Sequence, residues 1–158
     1  MTRNCISAVL SLAIIFCAAS TAYAHCQVPC GIYDEGARFT AMREDASTIA
    51  KATKMIHELN SKTDANSAQQ LVRWTMTKED HATRIITTVA EYFLTQKIKP
   101  ADPKKKKAYA SYIEQLKSCH VVMRAAMATK QKADANAVDT LESAIERLAA
   151  TFGHAHKK

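Results

Sequence analysis

Apolar residues recur at three- and four-residue intervals in four separate stretches of this chain, and that spacing predicts amphipathic helices. Met42, Ile49, Met55, Ile56 and Leu59 share one face of the first stretch, and Ala82, Ile85, Ile86, Val89 and Phe93 share one face of the second. Tyr109, Tyr112, Ile113, Leu116, His120, Met123 and Met127 mark the third. Val138, Leu141, Ile145, Leu148 and Phe152 form the cleanest stripe, spaced three, four, three and four. No stretch holds the two-residue period of a strand for long. With only 3 Gly and 3 Pro among 158 residues, and a strong supply of Ala, Leu, Met, Lys, Glu and Gln, little interrupts a helix once it has begun.

The breaks between the stripes carry turn chemistry. Asn60-Ser61-Lys62-Thr63-Asp64 is a short polar connection with capping residues, and Lys97 to Pro103 holds two prolines that a helix interior rejects. A third break falls near Lys130 to Asn136. Connections this short join antiparallel neighbours, so the expected fold is all-α, an antiparallel up-down four-helix bundle over about residues 37–153. Cys119 and His120 fall on the expected core side of the third helix and read as structural.

The N-terminus has a different logic. Arg3 is followed by an uncharged apolar run and then by Ala22-Tyr23-Ala24, the small-x-small triplet that precedes signal peptidase cleavage. The run falls short of the roughly 20 apolar residues needed to span a bilayer. Residues 1–24 therefore read as a cleaved signal peptide, and 25–158 as a single domain exported to a periplasm or the medium, with no membrane attachment after cleavage. Cys5 and Cys17 leave with the leader; Cys26, Cys30 and Cys119 are too few for a disulfide framework.

Cleavage exposes His25-Cys26-Gln27-Val28-Pro29-Cys30-Gly31-Ile32-Tyr33 with a free α-amine. Residues 25–36 contain two of the three glycines and one of the three prolines, which predicts a compact metal-binding hook instead of more helix. Its donors are the α-amine, the His25 imidazole, the Cys26 backbone amide and the thiolates of Cys26 and Cys30. An amine and the next deprotonated amide close a five-membered chelate ring, and with two thiolates they favour a square-planar Ni(II) or Cu(II) over tetrahedral zinc. The His25 ring can then approach along the axis.

Taken together, these residues resemble the nickel hook of nickel-containing superoxide dismutase, and a following four-helix chain of this length resembles that family as well. The resemblance implies one nickel ion per subunit, held by His25, Cys26 and Cys30. It implies conversion of two superoxide anions and two protons to dioxygen and hydrogen peroxide by Ni(III)/Ni(II) cycling, with His25 as the axial ligand. Tyr33 matches the family tyrosine that stands over the open face of the metal and admits small anions, and Tyr92 resembles the tyrosine that hydrogen-bonds with it. The family glutamate that orients the axial imidazole aligns near Thr40, and the family arginine of the second helix aligns near His81. A homohexamer and unidentified nickel maturation factors also follow from the resemblance.

Other readings of the same residues are a Cys26–Cys30 disulfide, a thiol-redox pair, and an exported non-enzymatic metal-binding helical protein. Haem attachment is excluded, because it requires Cys-x-x-Cys-His. His154 and His156 read as part of a frayed, solvated tail, and the Lys104-Lys105-Lys106-Lys107 run as a solvated surface whose charges oppose the helix dipole. No nucleic-acid-binding motif is present, so nucleic acid is not an expected partner. The formal net charge of +7, which loss of Arg3 lowers by one, favours encounter with small anions.

Overall fold

The computed structural model describes residues 35–154, and among them it contains helices and no strands. Helix α1 spans Glu35–Leu59 and α2 spans Ala65–Thr87; a π-helical segment, Thr88–Lys97, continues α2 without a break. Helix α3 spans Lys106–Gln131 and α4 spans Ala135–Thr151. Each helix packs on the two beside it, α1 on α2 and α4, α3 on α2 and α4, so the four close into the expected antiparallel bundle. Helix α1 starts at Glu35, which places Glu35 and Gly36 in its first turn instead of in the hook.

Local chemistry explains most of the helix ends. Asp64 caps α2, accepting from the Ser67 amide at 2.9 Å and the Ser67 hydroxyl at 2.6 Å. Asp134 caps α4 through the Asn136 amide at 3.0 Å. At the other end of α4, Gly153 takes a φ of +78°, the left-handed conformation that glycine adopts without penalty. Its amide donates to the Ala150 carbonyl at 3.1 Å and the next, of His154, to the Ala149 carbonyl at 2.9 Å, which is the Schellman closure.

The core stripes of α2 and α4 fall where the periodicity places them, with Ala82, Ile85, Val89, Phe93, Leu141, Ile145 and Leu148 all buried. The third stripe does so only in part, with Tyr112, Leu116 and Met123 half-buried against the core. Helix α3 buries Ser118, Cys119, Val122, Ala125, Ala126 and Thr129, while His120 and Met127 are exposed. The apolar residues of α3 are spread around more than one face, and the most deeply buried is the face whose small side chains let neighbouring helices approach. Cys119 is a core thiol as expected; His120 is not a core residue.

Candidate functional site

His25, Cys26, Cys30 and Tyr33 lie outside the described residues. The chain that carries them joins α1 at Glu35, so the end of the bundle around that residue is the end nearest to them in sequence. Three other elements meet there: the last turn of the π-helical segment, the start of α3, and the C-terminal turn of α4.

Aromatic packing joins them. Phe39 of α1, Phe93 of the π-helical segment and Phe152 after α4 form a triangle with ring centroids 5.0, 6.0 and 5.3 Å apart. Such tilted contacts suit the ring quadrupoles. The π-helical bonding, closed by the Ile98 amide on the Phe93 carbonyl at 2.8 Å, lets the adjacent Tyr92 and Phe93 both turn inward with Val89. Tyr92 is thereby brought to the hook end of the bundle, 9% exposed, edge-on to Phe93 at 5.1 Å and 89°.

Ionic contacts close the same end. The Glu35 carboxylate pairs with Lys97 at the end of the π-helical segment, and its second oxygen lies 3.8 Å from Nε2 of His154. Arg43 grips both carboxylate oxygens of Glu146 at 2.6 and 3.0 Å and donates a further bond to the His154 carbonyl at 3.0 Å. The hydrogen bond to Glu146 holds the Arg43 guanidinium even more firmly in its charged form. The guanidinium of Arg38 lies over the Tyr92 ring, 5.2 Å from its centroid.

His154 is therefore a placed residue and not a frayed one. Its amide, carbonyl and ring each have a contact, the ring 5.8 Å from Phe39. A glycine directly behind an apolar stripe was the signal available for this, because it marks a helix stop that fixes the following residue. Glu35, Arg38, Arg43 and Lys97 had no such signal; their partners are far away in sequence.

His81 lies elsewhere. Its Nδ1 is 2.6 Å from Oδ1 of Asp45, a bridge between α1 and α2. Asp45 stands ten residues into α1, about 15 Å along the axis from Glu35 at 1.5 Å per residue. The structure brings His81 and Asp45 together, and Tyr92 and Arg38 together, at separate levels of the bundle. Thr40 is exposed and its hydroxyl donates to the Gly36 carbonyl at 3.0 Å.

No group of three or more His, Cys, Asp or Glu side chains able to hold a metal exists among the described residues. Burial pushes the Cys119 thiol up to about 12, so it stays protonated and is a poor ligand at neutral pH. The side chains at residues 25–30 include the two thiols of Cys26 and Cys30 and the His25 imidazole, donor types that suit a soft metal ion. Among the described residues no helix is long and apolar enough to cross a membrane.

The family model of nickel-containing superoxide dismutase matches residues 20–157, a span that includes the whole of the hook and all four helices. No curated protein and no solved structure matches the chain.

Proposed function

Since this chain belongs to the nickel-containing superoxide dismutase family, we propose that the nickel it uses is held by His25, Cys26 and Cys30. The protein is an oxidoreductase that converts two superoxide anions and two protons to dioxygen and hydrogen peroxide, and nickel is its cofactor. The observation that carries the assignment is the match over residues 20–157, which runs through the one cluster of soft donors in the sequence.

When bound, nickel supplies one-electron chemistry by alternating between its trivalent and divalent states. The chain supplies the rest. His25 contributes its α-amine and its ring, Cys26 its amide and thiolate, and Cys30 the second thiolate; the anionic sulfurs favour the higher oxidation state. Tyr33 limits approach to small anions, and Tyr92, held at the hook end by the π-helical segment, supports it by hydrogen bonding. The Glu35 pairs with Lys97 and His154 tie the root of the hook to two other elements, so α1 cannot shift without breaking contacts on both sides.

The same reading extends to processing and assembly. Removal of residues 1–24 frees the α-amine on export, one nickel binds per chain, maturation factors deliver it, and six chains associate. Val72 and Met76, exposed one turn apart on α2, offer apolar surface for that association. No observation favours a purely sequestering role. Mass spectrometry of nickel in the purified chain beginning at His25, with a dismutation assay on the same sample, tests the reading. Near-stoichiometric nickel and fast dismutation are expected; nickel without turnover would return the protein to the metal-binding class.

A further inference from the structure

We propose that Arg38 positions Tyr92 and fixes a positive charge beside it, drawing superoxide to the end of the bundle where the hook begins; the proposal rests on the reading of Tyr92 as part of the access gate. The Arg38 guanidinium carbon lies 5.2 Å from the Tyr92 ring centroid, inside the limit of about 6 Å at which an aromatic face holds a cation. Tyr92 is 9% exposed, so the contact is largely desolvated and stronger than its surface equivalent.

The ring is held from a second direction as well. Phe93 meets it edge-on at 5.1 Å, and the π-helical backbone fixes where both side chains start. A tyrosine confined between a guanidinium and a phenyl edge has one ring orientation, which is what a hydroxyl serving as a gate needs. Two carboxylates of this end face cations, Glu35 with Lys97 and Glu146 with Arg43, which offsets the negative field those two would otherwise present to an anion. Arg38 also stands one turn from the point where the hook joins α1, five residues beyond Tyr33. A fixed charge so close to the entrance acts on encounter rate, and salt screens that action.

The test compares nickel-loaded, processed wild type with Arg38→Met, Arg38→Lys and Tyr92→Phe. It reads kcat/KM against ionic strength, nickel content, and the near-ultraviolet circular dichroism of the tyrosines. Arg38→Met should lower kcat/KM at low salt by about 3- to 10-fold, at the low end of measured steering effects. It should flatten the salt dependence and weaken the tyrosine signal while nickel content stays at the wild-type level. Arg38→Lys should restore the salt dependence. Wild-type kinetics and salt slope in Arg38→Met, beside an impaired Tyr92→Phe, would overturn the role of Arg38 and leave the gate standing. Wild-type kinetics in Tyr92→Phe would remove the gate itself and the proposal with it. Arg38→Gln, planar and uncharged, takes the place of Arg38→Met if that variant fails to fold, with the same expected and overturning results.

Discussion

The two ends of the bundle are closed by different means. At the end away from the hook, the main closures are local or single: Asp64 caps α2, Asp134 caps α4, His57 Nε2 meets the Ala133 carbonyl at 2.8 Å, and buried Lys78 reaches the last carbonyls of α3. At the hook end, a π-helical segment, three phenylalanines and ion pairs between residues as distant as Arg43 and Glu146 hold four elements together. The first end needs only to stop helices. The second is the end from which the chain leads to the proposed metal ligands, and a ligand set of that kind tolerates little play in its support.

The sharpest way to break this contrast is to remove the proposed ligands. Cys26→Ser and Cys30→Ser should each abolish dismutation and most nickel binding, because a hydroxyl is a harder and weaker donor that does not support trivalent nickel. Helical circular dichroism should persist in both, since the bundle core lies elsewhere. Stoichiometric nickel with normal turnover in either variant would take the hook out of the mechanism.

A pair of stability variants then sharpens it. Phe93→Ala removes the shared ring of the aromatic triangle and should cost about 3–5 kcal/mol of stability. It should also lower nickel occupancy, as the root of the hook loses its packing. Lys78→Met at the other end strips donors from the Thr129 and Lys130 carbonyls and should cost about 1–3 kcal/mol, with nickel content and kcat/KM unchanged. Urea melts and nickel analysis on both proteins check this; nickel loss in Lys78→Met equal to that in Phe93→Ala would erase the distinction between the ends.

The same contrast decides how much could be read from the sequence. Asp64, Asp134 and the prolines between α2 and α3 announce their breaks within a few residues, and the stripes of α2 and α4 each point to one face. Helix α3 misleads because His120 and Met127 share the spacing of Tyr112, Leu116 and Met123 but are exposed, while the deepest burial falls on small residues such as Ala125 and Ala126. The π-helical segment has no comparable signature: nothing in Thr88 to Lys97 forbids an α-helix, and tertiary contacts around Tyr92 and Phe93 decide. The nickel cofactor was legible because soft donors, His25, Cys26 and Cys30, stand close together in the sequence. Arg38 over Tyr92 was not, because the two meet only after α1 and α2 pack.

Acid should act mainly on the local caps, and by the smallest amount. Hydrogen bonds from Ser67 hold the Asp64 carboxyl below its ordinary value of 3.8, and a bond from Lys132, aided by Asn136, does the same for Asp134. A folded-state value below the unfolded one means that the stabilisation is complete above about pH 3.8 and is lost as pH falls through the folded value. Asp64→Asn keeps a capping oxygen but does not titrate. Its urea midpoint should therefore fall less steeply than wild type below pH 4; an identical acid slope would remove Asp64 from the titration.

The central claim is that nickel chemistry depends on a free α-amine at His25. An amide nitrogen joined to Ala24 is a far poorer donor than a free amine, so the unprocessed chain would lack one donor of the proposed site. The direct measurement is nickel content and dismutase activity of the chain beginning at His25 against one that retains Ala24, each checked for equal helical circular dichroism. The account predicts an active nickel protein in the first case and negligible activity in the second with nickel supplied; full activity in the extended chain would contradict it.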